Sequence, residues 1–135
     1  MSLINDSILL LINVLHLIVI FFVICAPFSN SNYLLFMHVI IVPFILLHWV
    51  LNNNTCSLTL AEKYIRSKTY GVQAKEDECF TYQFIAPIYD FNKNYESFSY
   101  FTYAASIALW SVSVYNLCDK YSQGEIKNFM DLAKF

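Results

Sequence analysis

Three uncharged apolar runs, each about as long as a bilayer is thick, constrain this chain more than any other feature. They cover Ser7 to Ala26, Tyr33 to Leu51 and Phe98 to Cys118, and none contains Asp, Glu, Lys or Arg. At about 1.5 Å per residue, a helix of about 20 residues spans the roughly 30 Å of hydrocarbon. A soluble helix of this length would show a polar face, which these runs lack. The sequence therefore predicts an all-α, polytopic membrane protein with three transmembrane helices.

The length and composition fit one domain of this class. Of 135 residues, 58% are hydrophobic and only 13% are charged. We expect a single membrane domain over residues 1–135, with an extramembrane segment at 52–97 and a tail at 119–135. The first run is interpreted as a retained anchor rather than a signal peptide, because residues 1–6 contain no Lys or Arg.

The charge pattern bears on partners and topology. The formal net charge is -2, and the basic residues of segment 52–97 are interleaved with acidic ones, so nucleic-acid binding is not expected. The segment carries five of the eight Lys and Arg residues and the tail carries three, which by the positive-inside rule favours a cytosolic segment. The expected partners are the lipid bilayer and other proteins, with no small-molecule substrate.

Polar residues inside the runs predict packing faces. Asn13 and His16 lie three apart, so they share one helix face, which we expect to point at protein and to form interhelical hydrogen bonds. A ligand-binding or proton-relay role is the alternative. In the second run, Pro43 removes a hydrogen bond to the carbonyl of Val39, which then needs another partner.

The third run carries a stripe of small residues, at spacings of four and three: Ala104, Ala108 and Ser111. Small residues allow close approach of a second membrane helix. We predict that this stripe packs against a helix of this chain or of another chain.

Segment 52–97 and the tail each contain a predicted helix start. Thr59 and Glu62 are spaced as a capping box, which predicts a short helix that ends before Gly71; Ser122 and Glu125 predict a second, amphipathic helix in the tail. After the first helix comes an aromatic-rich stretch that we expect to lie on the membrane surface or against a partner. This predicted partner-binding platform comprises Phe80, Tyr82, Phe84, Ile88, Tyr89 and Phe91.

No residue pattern predicts catalysis, a cofactor or a metal site. Cys56 and Cys79 form a disulfide only if the compartment is oxidising and the geometry fits, and neither belongs to a Cys-x-x-Cys pair. The three histidines differ in depth by at least roughly 6 Å at 1.5 Å per residue, which disfavours two of them as ligands of one haem. We therefore predict a non-enzymatic protein without a cofactor.

One stretch resembles a known class of proteins. The residues that carry the resemblance are His48 to Thr59 with Glu62, then Glu78 to Phe80, and Ala86 to Phe91. They resemble small multi-pass membrane and minor capsid proteins of large double-stranded DNA viruses of the chlorella-virus and mimivirus kind. The resemblance implies a structural protein of the internal virion membrane or a host membrane that links the bilayer to the icosahedral capsid. It also implies that a viral thiol oxidase can join Cys56 to Cys79.

A different class remains open. Small three-helix anchor subunits of respiratory or photosynthetic electron-transfer complexes have the same size and helix number. In this interpretation His16 and a histidine of the second run would lie near haem or quinone.

Overall fold

The computed structural model of the chain describes residues 2–71, 79, 80, 83 and 95–133. This part of the chain is helical and contains no strand, which confirms the all-α prediction. Its longer helices are α1 (Ser2–Cys25), α2 (Asn32–Leu51), α3 (Ser57–Tyr70) and α4 (Tyr95–Ser122), and two 3₁₀ turns cover Ala26–Phe28 and Phe129–Ala133.

Two of the helices are long and apolar enough to cross a membrane. The candidate spans are Ile4–Phe28, which extends α1 into the first 3₁₀ turn, and Asn32–Leu51, which is α2. Only 17% of the most apolar window of each is buried, whereas the core helix of a soluble protein is mostly buried. The third predicted run is a helix, α4, but its Ser and Tyr residues make it less apolar than α1 and α2.

The α2 and α4 helices are followed by residues that tolerate a left-handed backbone conformation. After α2, Asn53 and Asn54 have φ values of 51° and 62°, and the Asn54 N–H donates to the Trp49 carbonyl at 2.8 Å. After α4, Gly124 has φ 78°, and the N–H groups of Gly124 and Glu125 donate to the last carbonyls of the helix. This pair of bonds is a Schellman motif, and it ends α4 firmly.

The Schellman motif makes the capping box predicted in the tail wrong. Ser122 is the last residue of α4 rather than the start of a new helix, and its hydroxyl donates to the Cys118 carbonyl at 2.9 Å. The tail forms a short 3₁₀ turn instead of an amphipathic α-helix. Asp131 holds that turn, because its carboxylate accepts the N–H groups of Lys127 and Asn128, each at 3.0 Å.

The capping box predicted at Thr59 and Glu62 is also wrong. The short helix exists, but α3 begins at Ser57, and its N-cap, Cys56, has no side-chain hydrogen bond to the helix. The Thr59 hydroxyl lies 3.4 Å from His16 Nε2, and Glu62 binds groups outside the first turn. Both side chains therefore contact residues that are distant in the sequence instead of capping α3.

The chain divides into two compact units: one takes in residues 1–19 and 48–99, and the other takes in residues 20–47 and 100–135. In the first unit, α3 runs antiparallel to the amino-terminal half of α1, because Asn5 donates to Thr69 at 2.9 Å while His16 lies beside Thr59. Part of the segment predicted to be extramembrane therefore packs on a candidate span.

In the second unit, α2 and the carboxyl-terminal part of α1 form a helical hairpin, which contacts α4. The amide of Asn116 donates to the Pro27 carbonyl at 2.9 Å, and the Lys120 ammonium donates to the Asn30 carbonyl at 2.7 Å. Both bonds hold α4 to the connection between α1 and α2. Leu35 and Val42 of α2 are buried in this unit.

Candidate functional site: two buried polar clusters

Several polar side chains are buried, while many large apolar side chains are exposed. The buried set includes His16, His38, Glu62, Ser106 and Ser113, of which His38, Glu62 and Ser113 are 0% exposed. Large apolar side chains of α1 and α2 are at least half exposed: Ile4, Leu10, Leu11, Ile18, Phe21, Ile24, Phe44, Leu47, Val50 and Leu51. Charged and polar residues are normally the most exposed class in a soluble protein, so each buried one calls for a partner.

In the first unit, Glu62 of α3 is the centre of a polar cluster. Its Oε1 accepts the Nε–H of Arg66 at 2.9 Å, and the backbone N–H of Phe80 donates to the two carboxylate oxygens at 3.0 and 3.2 Å. Arg66 lies one turn along the same helix and is 24% exposed. A buried carboxylate is stable only when it is paired, and here it has a cation and a backbone donor.

His16 of α1 lies beside this cluster, and Asn13 precedes it by three residues on the same helix. His16 is 4% exposed and faces α3 through Thr59, and Glu62 contributes to its electrostatic environment. Within the described part of the chain, Asn13 Oδ1 and His16 Nδ1 are buried without a hydrogen-bond partner. Within the described residues, His16 Nε2 of this helix face makes the expected interhelical contact, with the Thr59 hydroxyl of α3.

In the second unit, His38 of α2 is the centre of a second cluster. Its Nε2 lies 3.1 Å from the Val23 carbonyl, and its Nδ1 lies 2.8 Å from the Ser113 hydroxyl. A carbonyl only accepts, so in the neutral imidazole Nε2 carries the proton and Nδ1 accepts from Ser113. The Phe22 ring packs on the imidazole with a centroid distance of 5.6 Å. Sequence analysis missed Ser113, since a serine inside an apolar run carries no signal of its own.

The carbonyl that Pro43 leaves without its helical donor has a partner on a neighbouring helix, as the sequence predicts without identifying the residue. The indole N–H of Trp110 on α4 donates to the Val39 carbonyl at 2.9 Å. An α-helix pairs that carbonyl with the N–H four residues later, which proline lacks. A side chain of α4 therefore supplies the hydrogen bond that Pro43 cannot make within α2.

The face of α4 that contacts the hairpin is a polar one. Trp110, Ser113, Asn116 and Lys120 follow one another at helical spacing, and each bonds to the α1–α2 hairpin.

The predicted stripe of Ala104, Ala108 and Ser111 is exposed instead, and the Ser111 hydroxyl donates to its own helix. Among the described residues no helix covers this stripe, because the polar donors of α4 direct another face of the helix to the hairpin. It remains a prediction for contact with another chain.

Most of the predicted platform lies outside the described residues: Tyr82, Phe84, Ile88, Tyr89 and Phe91. Phe80 is described, and its backbone is fixed by Glu62. The two cysteines of the predicted bridge are present as thiols, with Cys79 2% exposed and Cys56 half-buried. A Cys56–Cys79 disulfide therefore stays a prediction.

The histidines serve chiefly as hydrogen-bonding residues. Both ring nitrogens of His38 are engaged, and at the end of α2 the Asn52 amide lies 3.1 Å from His48 Nδ1. Among the described residues, no three His, Cys, Asp or Glu side chains come together as metal ligands.

Comparison of the chain with known protein families, with curated proteins and with solved structures finds no match.

Proposed function

We propose that the chain is an integral membrane protein that crosses the bilayer three times, through α1, α2 and α4, and that its role is structural. The observation that carries the proposal is the exposure of many large apolar side chains of α1 and α2 together with the burial of polar ones. Phe21 and Phe44 are more than half exposed, while His38 and Ser113 are buried and bonded to each other. In a bilayer this arrangement is favourable, because every polar group at that depth needs an internal partner.

The polar face of α4 supports its assignment as the third span. Trp110, Ser113 and Asn116 all bond to the hairpin, so their polar atoms are shielded from lipid. The outward side chains at the middle of α4 include the apolar Ile107 and Val112, and the exposed Ser111 hydroxyl donates to a carbonyl of its own helix. A helix can therefore be less apolar than α1 or α2 overall and still lie in lipid.

The buried pairs support a structural role rather than a catalytic one. Ser113 and His38 are a hydroxyl and an imidazole at 2.8 Å, which is the distance of a nucleophile and its base. Both side chains are fully buried, however, and the second imidazole nitrogen is committed to the Val23 carbonyl. No substrate can reach the hydroxyl without unfolding the packing around it.

We propose a viral role on the basis of the resemblance alone. In it, the chain lies in the internal membrane of a large DNA virus, and the segment after α2 links that membrane to the capsid as a minor capsid component. Cross-linking of intact particles through Lys63 and Lys68 tests this role. Links to capsid proteins support it, whereas links to redox subunits overturn it.

The native cysteines test the number of spans. In sealed vesicles that contain single-cysteine variants, a membrane-impermeant maleimide reports the side on which each thiol lies. Three spans place Cys25 and Cys118 on one side and Cys56 on the other. If α4 does not cross, Cys118 labels from the same side as Cys56, and the three-span proposal is wrong.

A second candidate, an anchor subunit of an electron-transfer complex, is favoured by one observation. His16 Nδ1 and Asn13 Oδ1 are buried without partners among the described residues, so their hydrogen-bonding capacity is available to a bound group. A Soret band that copurifies with the chain and disappears in His16→Ala would support haem binding. A colourless preparation from the native membrane would count against it.

A further inference from the structure

One exposed face of α3 changes from apolar to cationic along the helix. Leu60, Tyr64 and Lys68 follow one another at intervals of four residues, so they lie on the same face. Leu60 is 42% exposed, Tyr64 is 64% exposed, and Lys68 is exposed as well. The Lys68 ammonium lies 6.0 Å from the centre of the Tyr64 ring, at the limit of a cation–π contact. The face therefore presents an aliphatic, an aromatic and a cationic side chain in that order.

Two contacts with α1 determine how this face is oriented. The Asn5 amide donates to Thr69 at 2.9 Å, and the Thr59 hydroxyl lies 3.4 Å from His16 Nε2. These contacts are separated by about 16 Å along α1 and by about 15 Å along α3, at 1.5 Å per residue. Because the two separations are nearly equal, the helix axes run almost parallel to each other, in opposite directions.

The position of α1 then gives the depth of each residue on α3. The candidate span in α1 is Ile4–Phe28, and His16 is its middle residue. Since α3 begins beside His16 and ends beside the amino-terminal end of the span, Leu60 lies deepest and Lys68 lies nearest the surface. The order of the three side chains matches the order of hydrocarbon, membrane interface and phosphate groups in a lipid leaflet. A lipid explains this order along the membrane normal, whereas a protein partner would not require it.

The acidic side chain of α3 does not lie on this face. Glu62 is 0% exposed, and its carboxylate accepts the Nε–H of Arg66 at 2.9 Å. A lipid that covers Leu60 and Tyr64 therefore does not meet an unpaired carboxylate, which would be costly in a bilayer.

We propose that Leu60, Tyr64 and Lys68 form a lipid-contact face, and that α3 enters the bilayer with its amino-terminal end. Acyl chains cover Leu60, the Tyr64 ring lies at the edge of the hydrocarbon, and the Lys68 ammonium binds a phospholipid phosphate. The inference rests on the proposed crossing of the bilayer by α1, and it adds that part of the segment after α2 is immersed in lipid. Because α3 enters and leaves by the same side, Cys56 stays on that side.

Nitroxide labels at the three positions measure this depth. Full-length single-cysteine variants Leu60→Cys, Tyr64→Cys and Lys68→Cys are reconstituted into vesicles of phosphatidylcholine and phosphatidylglycerol. Relaxation of each label by oxygen and by a water-soluble nickel chelate gives its depth. We expect the label of Leu60→Cys to lie about 12 Å deeper than that of Lys68→Cys, with Tyr64→Cys between them. In the background chain the native cysteines are replaced, by Ser at Cys25, Cys56 and Cys118 and by Ala at Cys79.

A label on α2 separates failure of this inference from failure of the membrane assignment. Phe44 is 68% exposed on a candidate span, so Phe44→Cys is the reference for a side chain in lipid. If the Phe44→Cys label is in hydrocarbon while the three α3 labels are equally open to the nickel chelate, the lipid-contact face is wrong and the membrane assignment stands. If the Phe44→Cys label is also in water, both proposals are overturned.

The unmodified chain gives an independent measurement that does not depend on the folding of any variant. Vesicles of the same composition contain a trace of phosphatidylcholine with a diazirine near the end of one acyl chain, or of phosphatidylethanolamine with a diazirine on its headgroup. After illumination, peptide mapping locates the sites of insertion. We expect the acyl-chain probe at Leu60 and the headgroup probe at Lys68. The reverse order, or no insertion into α3 by either probe, overturns the proposal.

Discussion

The bond between Trp110 and the Val39 carbonyl exists because of Pro43, and this dependence can be measured. The Trp110→Phe change keeps an aromatic ring but removes the indole donor, which leaves the Val39 carbonyl with neither its helical partner nor its replacement. In the Pro43→Ala background, the new N–H at position 43 supplies the missing donor. Trp110→Phe should therefore destabilise the wild-type chain more than it destabilises the Pro43→Ala chain.

The size of this difference follows from the geometry. The bond is 2.9 Å long and half-buried, and an unsatisfied buried polar group costs about 1–3 kcal/mol. Hydrogen bonds between membrane helices, measured by double-mutant cycles, average about 0.6 and reach about 1.7 kcal/mol. We therefore expect a coupling free energy of about 1 kcal/mol between positions 43 and 110.

The assay is equilibrium unfolding in mixed micelles of a mild detergent and dodecyl sulfate, followed by the helical circular dichroism signal. This signal does not depend on which tryptophan has been removed. Trp49→Phe serves as the control, because Trp49 lies in the last turn of α2, beyond the break made by Pro43. Additive effects at positions 43 and 110, within about 0.3 kcal/mol, would refute the reasoning.

Two further predictions concern single side chains and use the same unfolding assay. Ser113→Ala removes the buried donor to His38 and should cost about 1–3 kcal/mol, while Ser111→Ala, on the exposed face, should change stability by no more than about 0.5 kcal/mol. Equal effects would place Ser113 outside the core. Gly124→Ala imposes a side chain on a backbone with φ 78° and should cost about 1 kcal/mol; no loss would mean that the Schellman motif is dispensable.

The sequence predicts the helices well because their signal is local. Long apolar runs give α1, α2 and α4, and the prediction that the Val39 carbonyl needs a new partner follows from the chemistry of proline alone. The helix bounds differ at the start of α1, which begins before its apolar run, and at both ends of α4, which begins earlier and ends later than its run. Residues that flank a membrane span can continue a helix without being apolar, so composition does not fix the ends.

The polar clusters could not be predicted, because their contacts join distant parts of the chain. Thr59 and Glu62 match a capping box, yet Thr59 faces His16 and Glu62 faces Phe80. A polar side chain with several possible hydrogen-bond partners pairs with the one that best offsets its loss of hydration on burial. Which partner that is depends on how the helices pack. The position of Ser113 opposite His38 depends in the same way on how α4 docks.

The two faces of α4 give the sharpest test of how this helix packs. Ser106 is 6% exposed, whereas Ala108, half a turn away, is exposed. Ser106→Leu inserts a large side chain into a filled space and should cost about 1–3 kcal/mol, while Ala108→Leu should leave the unfolding of a monomer within about 0.5 kcal/mol. If Ala108→Leu instead lowers the molecular mass of the detergent complex in size-exclusion chromatography with light scattering, the small-residue stripe binds another chain. Equal destabilisation of the monomer by both changes would contradict the packing face described for α4.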